Sequence, residues 1–336
     1  AQALEQFSAM LSKPLFDPQA ISSELNAIDA EFRLKQQDDL RRLYQVHKET
    51  CNPAHPFSKF SVGNQEIFGQ FSAGQLQQML MQLHQKYYRA GNMSLSLVSD
   101  MTLDEQEDLC RRYFATLPHG KINETNAYPP LYLPEQLGVI LNITPLKTAR
   151  RLIVSFALED VHQYYLSKPL NLISHLIGDE GPGSLLCYLR NQGWATSLSA
   201  GGGIQGSNFK DFNVSMQLTP QGADHWQEVV KALFSCLQLI RQQGITQWRF
   251  DERQAFGQMA FDFHDKPKAM DMASHLATQL HFYPPQHLLS GEYLMDKFAP
   301  ELIKHMLEQM TPDNMRLKLI LPDQVTDRAA RWYQTP

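Results

Sequence analysis

Asn92-Met93-Ser94-Leu95-Ser96-Leu97-Val98-Ser99-Asp100 is echoed by Asn314-Met315-Arg316-Leu317-Lys318-Leu319-Ile320-Leu321-Pro322-Asp323. In each copy a stretch with helical periodicity, 76–88 and then 301–310, runs into Asn-Met and on into residues that alternate apolar and polar with period two. The copies lie about 220 residues apart, the length of one duplicated domain. If the second copy opens near Gly138, it has far more chain ahead of its Asn-Met than the first. The first copy is therefore expected to lack on the order of 80 residues on its N-terminal side.

Working outward, the stretch from His119 to Pro130 is polar and ends in two prolines, the character of a connection between domains. It places one domain at 1–126 and a second at 127–336. Periodicity predicts helices at 2–12, 20–48, 73–88 and 103–114 and a strand at 93–99 in the first. In the second it predicts strands at 138–143, 151–157, 196–203 and 210–218. Helices are expected there at 164–177, 182–192, 221–243 and 247–264, with a further helical region to about residue 310. This mixture indicates an α+β fold, with helices covering one face of largely antiparallel sheets.

Hydrophobic residues make up 43% of the 336 and charged residues 19%, enough apolar material for packed interiors. A net charge of −5, with Lys and Arg scattered, gives no reason to expect a nucleic-acid partner. Cys51, Cys110, Cys187 and Cys236 form no Cys-x-x-Cys and suggest neither a structural metal site nor a disulfide framework. No apolar run approaches the ~20 residues of a membrane span, so a soluble chain is expected. The chain opens in a helical pattern without an initiator Met, so it reads as starting in mid-fold and leaves the compartment, cytoplasmic or periplasmic, undecided.

Two segments invite a functional reading. On the predicted helix from Ile21, Glu24 and Glu31 are two turns apart and share a face with Ala27 and Ile28. The two acids either flank the buried stripe and pair with Arg33, Arg41 or solvent, or, if kept from water, need a cation such as a metal ion. The residues alone do not choose: none of the 12 histidines falls in His-x-x-x-His or His-x-x-Glu-His. The second segment is Leu198-Ser199-Ala200-Gly201-Gly202-Gly203-Ile204-Gln205-Gly206. Its glycines fit a hairpin turn, or a strand that a second backbone approaches closely. Gly181-Pro182-Gly183-Ser184 lacks the ending of a phosphate-binding loop and reads as a helix start, with proline suited to the first helical position. His275, His281 and His287, spaced by six, do not line up as ligands.

The run from Glu24 to Glu31, followed by Asn52-Pro53-Ala54-His55-Pro56-Phe57-Ser58-Lys59-Phe60, resembles the inverzincin endopeptidases of the insulysin and pitrilysin type, the M16 family. So do His175-Leu176-Ile177-Gly178-Asp179-Glu180-Gly181-Pro182-Gly183, Gly193-Trp194, Asp327-Arg328 and Trp332-Tyr333, in the same order. The resemblance implies two duplicated domains of the LuxS/mitochondrial-processing-peptidase-like metallohydrolase type, the first incomplete here. It also implies a Zn2+-dependent metalloendopeptidase that hydrolyses oligopeptides enclosed in a chamber. By the family's pattern Glu31 is a zinc ligand, and Glu24 supports it from behind. His175, Gly178, Glu180, Leu198, Ser199, Ala200 and Gly201 would form a site anchoring the N-terminal part of a peptide, with Ala200 in place of a family glycine. The family's H-x-x-E-H, which supplies two histidine ligands and the water-activating glutamate, has no counterpart in this sequence. The chain by itself is therefore expected to hold no zinc and to be inactive, with the remaining halves of the polypeptide as its partners. The rival expectation is a non-catalytic scaffold or maturation subunit of the same fold.

Overall fold

The structure, a computed structural model, describes residues 2–120 and 128–336. The expected boundary between 126 and 127 lies outside the described residues. In chain order the helices are α1 (Gln2–Ser12), α2 (Pro18–Lys35), α3 (Asp39–Glu49), α4 (Gln65–Phe68), α5 (Ala73–Tyr87) and α6 (Leu103–Phe114). After these come α7 (Pro169–Ile177), α8 (Leu185–Asn191), α9 (Pro220–Asp224), α10 (Trp226–Gln243), α11 (Gln247–Asp262), α12 (Ala269–Gln279) and α13 (Pro300–Glu308). The strands are β1 (Val139–Ile143), β2 (Arg151–Leu158), β3 (Ala195–Ala200), β4 (Lys210–Leu218) and β5 (Met315–Ile320). No helix among the described residues is long and apolar enough to cross a membrane.

The chain divides into two compact units, each assembled from separated segments. One comprises the described parts of Ala1–Lys35, Ser61–Asn126 and His264–Gly291. It is helical: α2 packs on α4 and α5, and α1 on α6. The apolar stripe of α2 runs through buried Ile21 and Phe32, with Leu25 and Ile28 half-buried between them, the i, i+4, i+7, i+11 spacing of one helical face. Helix α6 starts where a reciprocal cap forms, the Thr102 hydroxyl accepting from the Glu105 N–H while the Glu105 carboxylate accepts from the Thr102 N–H.

Two sequence expectations fail in instructive ways. The predicted helix 20–48 is two helices, because Asp38 turns out of the helical conformation and its carboxylate accepts from the N–H groups of Leu40 (2.9 Å) and Arg41 (3.3 Å), starting α3 afresh. The predicted strand 93–99 pairs with no other strand among the described residues, so its alternation yields no ladder. The Asn-Met echo nevertheless has a shared physical core. Both asparagines end a single 3₁₀ turn, and each donates from Nδ2 to the carbonyl five residues back: Asn92 to Tyr87 (3.2 Å), Asn314 to Gln309 (2.8 Å).

The other unit comprises the described parts of Gln36–Phe60, Ala127–Phe263 and Glu292–Pro336. Its five strands form one sheet in the order β1-β5-β2-β4-β3. β1 runs parallel to β5, and the other three pairings are antiparallel. One face carries Leu152, Val154, Phe156, Phe212, Val214, Met216, Leu317 and Leu319, and packs with residues of α7, α8, α10 and α13 into a continuous apolar core. Phe156, Phe212, Val214 and Met216 are fully excluded from water, each worth roughly 1.5–3 kcal/mol of burial.

The opposite face is polar and still buried. Arg316 and Lys318 of β5, Ser155 of β2 and Asp211 of β4 all point there, and α3 and Tyr132 cover them. His47 of α3 sits at the centre. Its Nδ1 accepts from the Lys318 ammonium at 2.6 Å, and its Nε2 lies 2.8 Å from the Tyr132 hydroxyl and 3.3 Å from Asp211 Oδ2. Tyr132 donates to the same carboxylate oxygen at 2.7 Å. Arg316 donates to the Gln136 carbonyl and to the Thr50 hydroxyl, with its guanidinium 4.5 Å over the Tyr132 ring. α3 is thus held to the sheet by hydrogen-bonded charge rather than by an apolar seam.

Candidate functional site

β3 is the outermost strand of the sheet, with β4 on one side. Residues 201–209 return the chain to β4 as a hairpin, closed by the Gly206 N–H on the Phe209 carbonyl. The glycine-rich segment therefore makes a hairpin turn, and the strand that precedes it has no second strand beside it among the described residues. Register identifies which backbone groups face outward. Gly201 donates to Asn213 O (3.0 Å) and Asn213 donates to Gly202 O (2.8 Å), so two residues face one in a bulge. Counting back in twos through the antiparallel register, Ser199 and Ser197 face β4, while Leu198 and Ala200 turn their N–H and C=O to the open edge. The Leu198 side chain is buried in the core and Ser199 is exposed on the other face. Gly201 adopts φ +97°, and a Cβ there would meet the Ser174 Cβ at 2.8 Å; only glycine lets β3 end this close to α7.

The other expected anchoring residues cluster around the same helix and strand. His175 lies near the C-terminal end of α7 with Nε2 4.0 Å from Glu252 Oε2 of α11. Gly178 caps α7 through its N–H to the Ser174 carbonyl, and a Cβ would approach that carbonyl to 2.8 Å. The Glu180 carboxylate is 3.0 Å from Arg190 Nη1, and Arg190 also donates from Nε (3.2 Å) and Nη2 (3.0 Å) to the carbonyl of Thr196 in β3. In the sequence Arg190 looks like an ordinary exposed helix residue, and no local signal marks this clamp. It ties the loop at Glu180 to the start of the edge strand. Both side chains are about half exposed, so it fixes geometry more than it stabilises. Gly181 to Ser184 is a helix start, the Ser184 hydroxyl accepting from the Cys187 N–H at 3.1 Å. Pro182 lies ahead of the cap and not at the first helical position.

In the helical unit, Glu24 and Glu31 are on α2 as expected, but both are exposed. The buried stripe passes through Ile21 and Phe32, one residue step of about 100° away from the two acids. They are not kept from water, and neither pairs with Arg33, which binds Asp29 at 2.7 Å. Asp29 also accepts from the Gln65 N–H at 2.9 Å. Among the described residues no three His, Cys, Asp or Glu side chains are grouped to hold a metal ion. Glu31 thus offers one accessible carboxylate, which alone is too few donors for zinc.

Residues 76–255 match the family described as "Peptidase M16 inactive domain", and residues 261–336 match "Middle or third domain of peptidase_M16". The chain is similar to insulin-degrading enzyme of Homo sapiens, 33% identical over 338 residues that cover 99% of this chain and 33% of that protein. It is also similar to Protease 3 of Salmonella typhimurium, 31% identical over 335 residues, 99% of this chain and 35% of the other. The crystal structure of pitrilysin superposes with a TM-score of 0.91 at 30% identity, covering 100% of this chain and 36% of that one. A peptidase M16 inactive domain from Pseudomonas fluorescens, at 19% identity and a TM-score of 0.71, shares the fold. The chain spans about a third of the length of the curated relatives it matches. With more than half of its residues inside one family match, and with the fold agreeing along its whole length, this chain belongs to the M16 peptidase family.

Proposed function

We propose that this chain is the peptide-anchoring part of a zinc-dependent metalloendopeptidase acting on oligopeptides held in a chamber. The observation that carries this reading is the outer edge of β3, which turns the backbone of Leu198 and Ala200 away from β4. An extended peptide adds to such an edge through main-chain hydrogen bonds, which tolerate many side chains. In this reading residues 1–126 are the C-terminal part of the first copy of a duplicated domain and 127–336 the second copy, which holds no metal. Glu31 gives one carboxylate to a zinc ion whose other ligands come from elsewhere in the polypeptide, and Glu24 supports it. Zinc would polarise the scissile carbonyl and activate water; this chain's part is to bind and align the peptide.

Ala200→Pro tests the anchoring role. Proline removes the outward N–H of Ala200 while leaving the ladder bonds of Ser199 and Gly201 to β4 in place. Titration of the chain with an extended, apolar oligopeptide should show affinity reduced about tenfold or more, one main-chain hydrogen bond plus the steric cost of the ring, with the urea midpoint little changed. Unaltered affinity would remove β3 from the site.

A further inference from the structure

We propose that His47 is an acid-operated latch: protonation of its imidazole releases α3, and the loop that follows it to residue 60, from the polar face of the sheet. The geometry leaves the ring no room for a second proton. Nδ1 must keep its lone pair to accept from the Lys318 ammonium at 2.6 Å, and Nε2–H faces the Tyr132 oxygen and Asp211 Oδ2. An imidazolium would set an N–H against an ammonium across that distance, inside a site that water does not reach. The charged groups facing His47 come from every element packed on it. β5 supplies Lys318 and Arg316, α3 itself supplies Lys48, and β4 supplies Asp211 with Lys210 beside it. Cations outnumber the single carboxylate, so a further positive charge has nothing to balance it. Burial, and then Lys318, Arg316 and Lys48, hold the His47 imidazole well below its ordinary range.

The sign follows from linkage. Free of the sheet, the ring takes its proton near pH 6.5; docked, it takes it at a lower pH. The docked state is therefore fully favoured above about pH 6.5 and loses ground as pH falls through the window below it, by up to tenfold per pH unit. Asp211 acts oppositely, since burial raises its carboxyl and lets the docked state bind that proton first. Lys318, pushed down to about 8 by burial, changes charge in a separate alkaline window.

His47→Gln isolates the latch, because glutamine offers one acceptor and one donor at similar reach and does not titrate. Amide hydrogen exchange on the whole chain, corrected for intrinsic rates, reads α3 protection relative to β4. Between about pH 6.5 and 5.5 the wild type should lose roughly fivefold in that ratio, and His47→Gln should lose less than about twofold. An equal loss in both proteins overturns the latch. Should His47→Gln fail to fold, the imidazole resonances of the wild type decide: titration at or above pH 6.5 in the folded chain overturns the proposal, and titration well below it supports it.

Discussion

Asp211→Ala should lower the unfolding free energy by about 3–5 kcal/mol, read as a fall in the urea midpoint at constant slope. Asp211 is 1% exposed and is the carboxylate that faces Lys318, Arg316 and the His47 ring. Removing it leaves the Tyr132 hydroxyl without its acceptor and two buried cations without a counter-charge. Asp211→Asn keeps an acceptor for Tyr132 but not the charge, and should lie between. Replacing the whole group by apolar side chains could be nearly neutral, because a buried ion pair is costly to break and not in itself strongly stabilising. A loss below about 1 kcal/mol for Asp211→Ala would mean that water reaches the cluster.

Glu31→Gln should abolish zinc retention in a polypeptide that supplies the other ligands, and with it peptide hydrolysis. Glutamine preserves size but presents a neutral amide where a hard anionic oxygen is required. Metal content after desalting, measured beside peptide cleavage, checks both consequences. Glu24→Gln should weaken metal affinity by about 10–100-fold without abolishing binding, as loss of an outer support does. Glu31 is exposed on α2, contrary to the expectation that its face keeps the carboxylate from water. Zinc bound as tightly by Glu31→Gln as by the parent would end the ligand assignment.

Where local rules act alone, the sequence reads cleanly. Thr102 and Glu105 announce the start of α6, and the alternation of 151–157 and 210–218 places β2 and β4 to within a residue. It reads badly where a partner decides. Residues 93–99 have the same alternation as β5, yet no strand among the described residues pairs with them. Arg316 and Lys318 alternate with leucines in the manner of a solvent-facing strand edge, and no local signal shows that α3 arrives from more than 260 residues away to bury them. The two acids of α2 share a face, but the burial stripe lies one step around the helix, which pattern alone could not fix. Glycines at 201–203 were compatible with a hairpin or with a close approach of a second backbone. The structure contains the hairpin and leaves β3 as an edge.

A peptide strand added to this edge would be reported directly by the backbone of β3. Exchange rates of the Leu198 and Ala200 amides should be measured with and without a saturating extended peptide. Selective protection of these two, about tenfold or more, with Ser197 and Ser199 unchanged, is expected if the peptide adds to β3. A peptide that binds while both outward amides exchange at their free rate would contradict it.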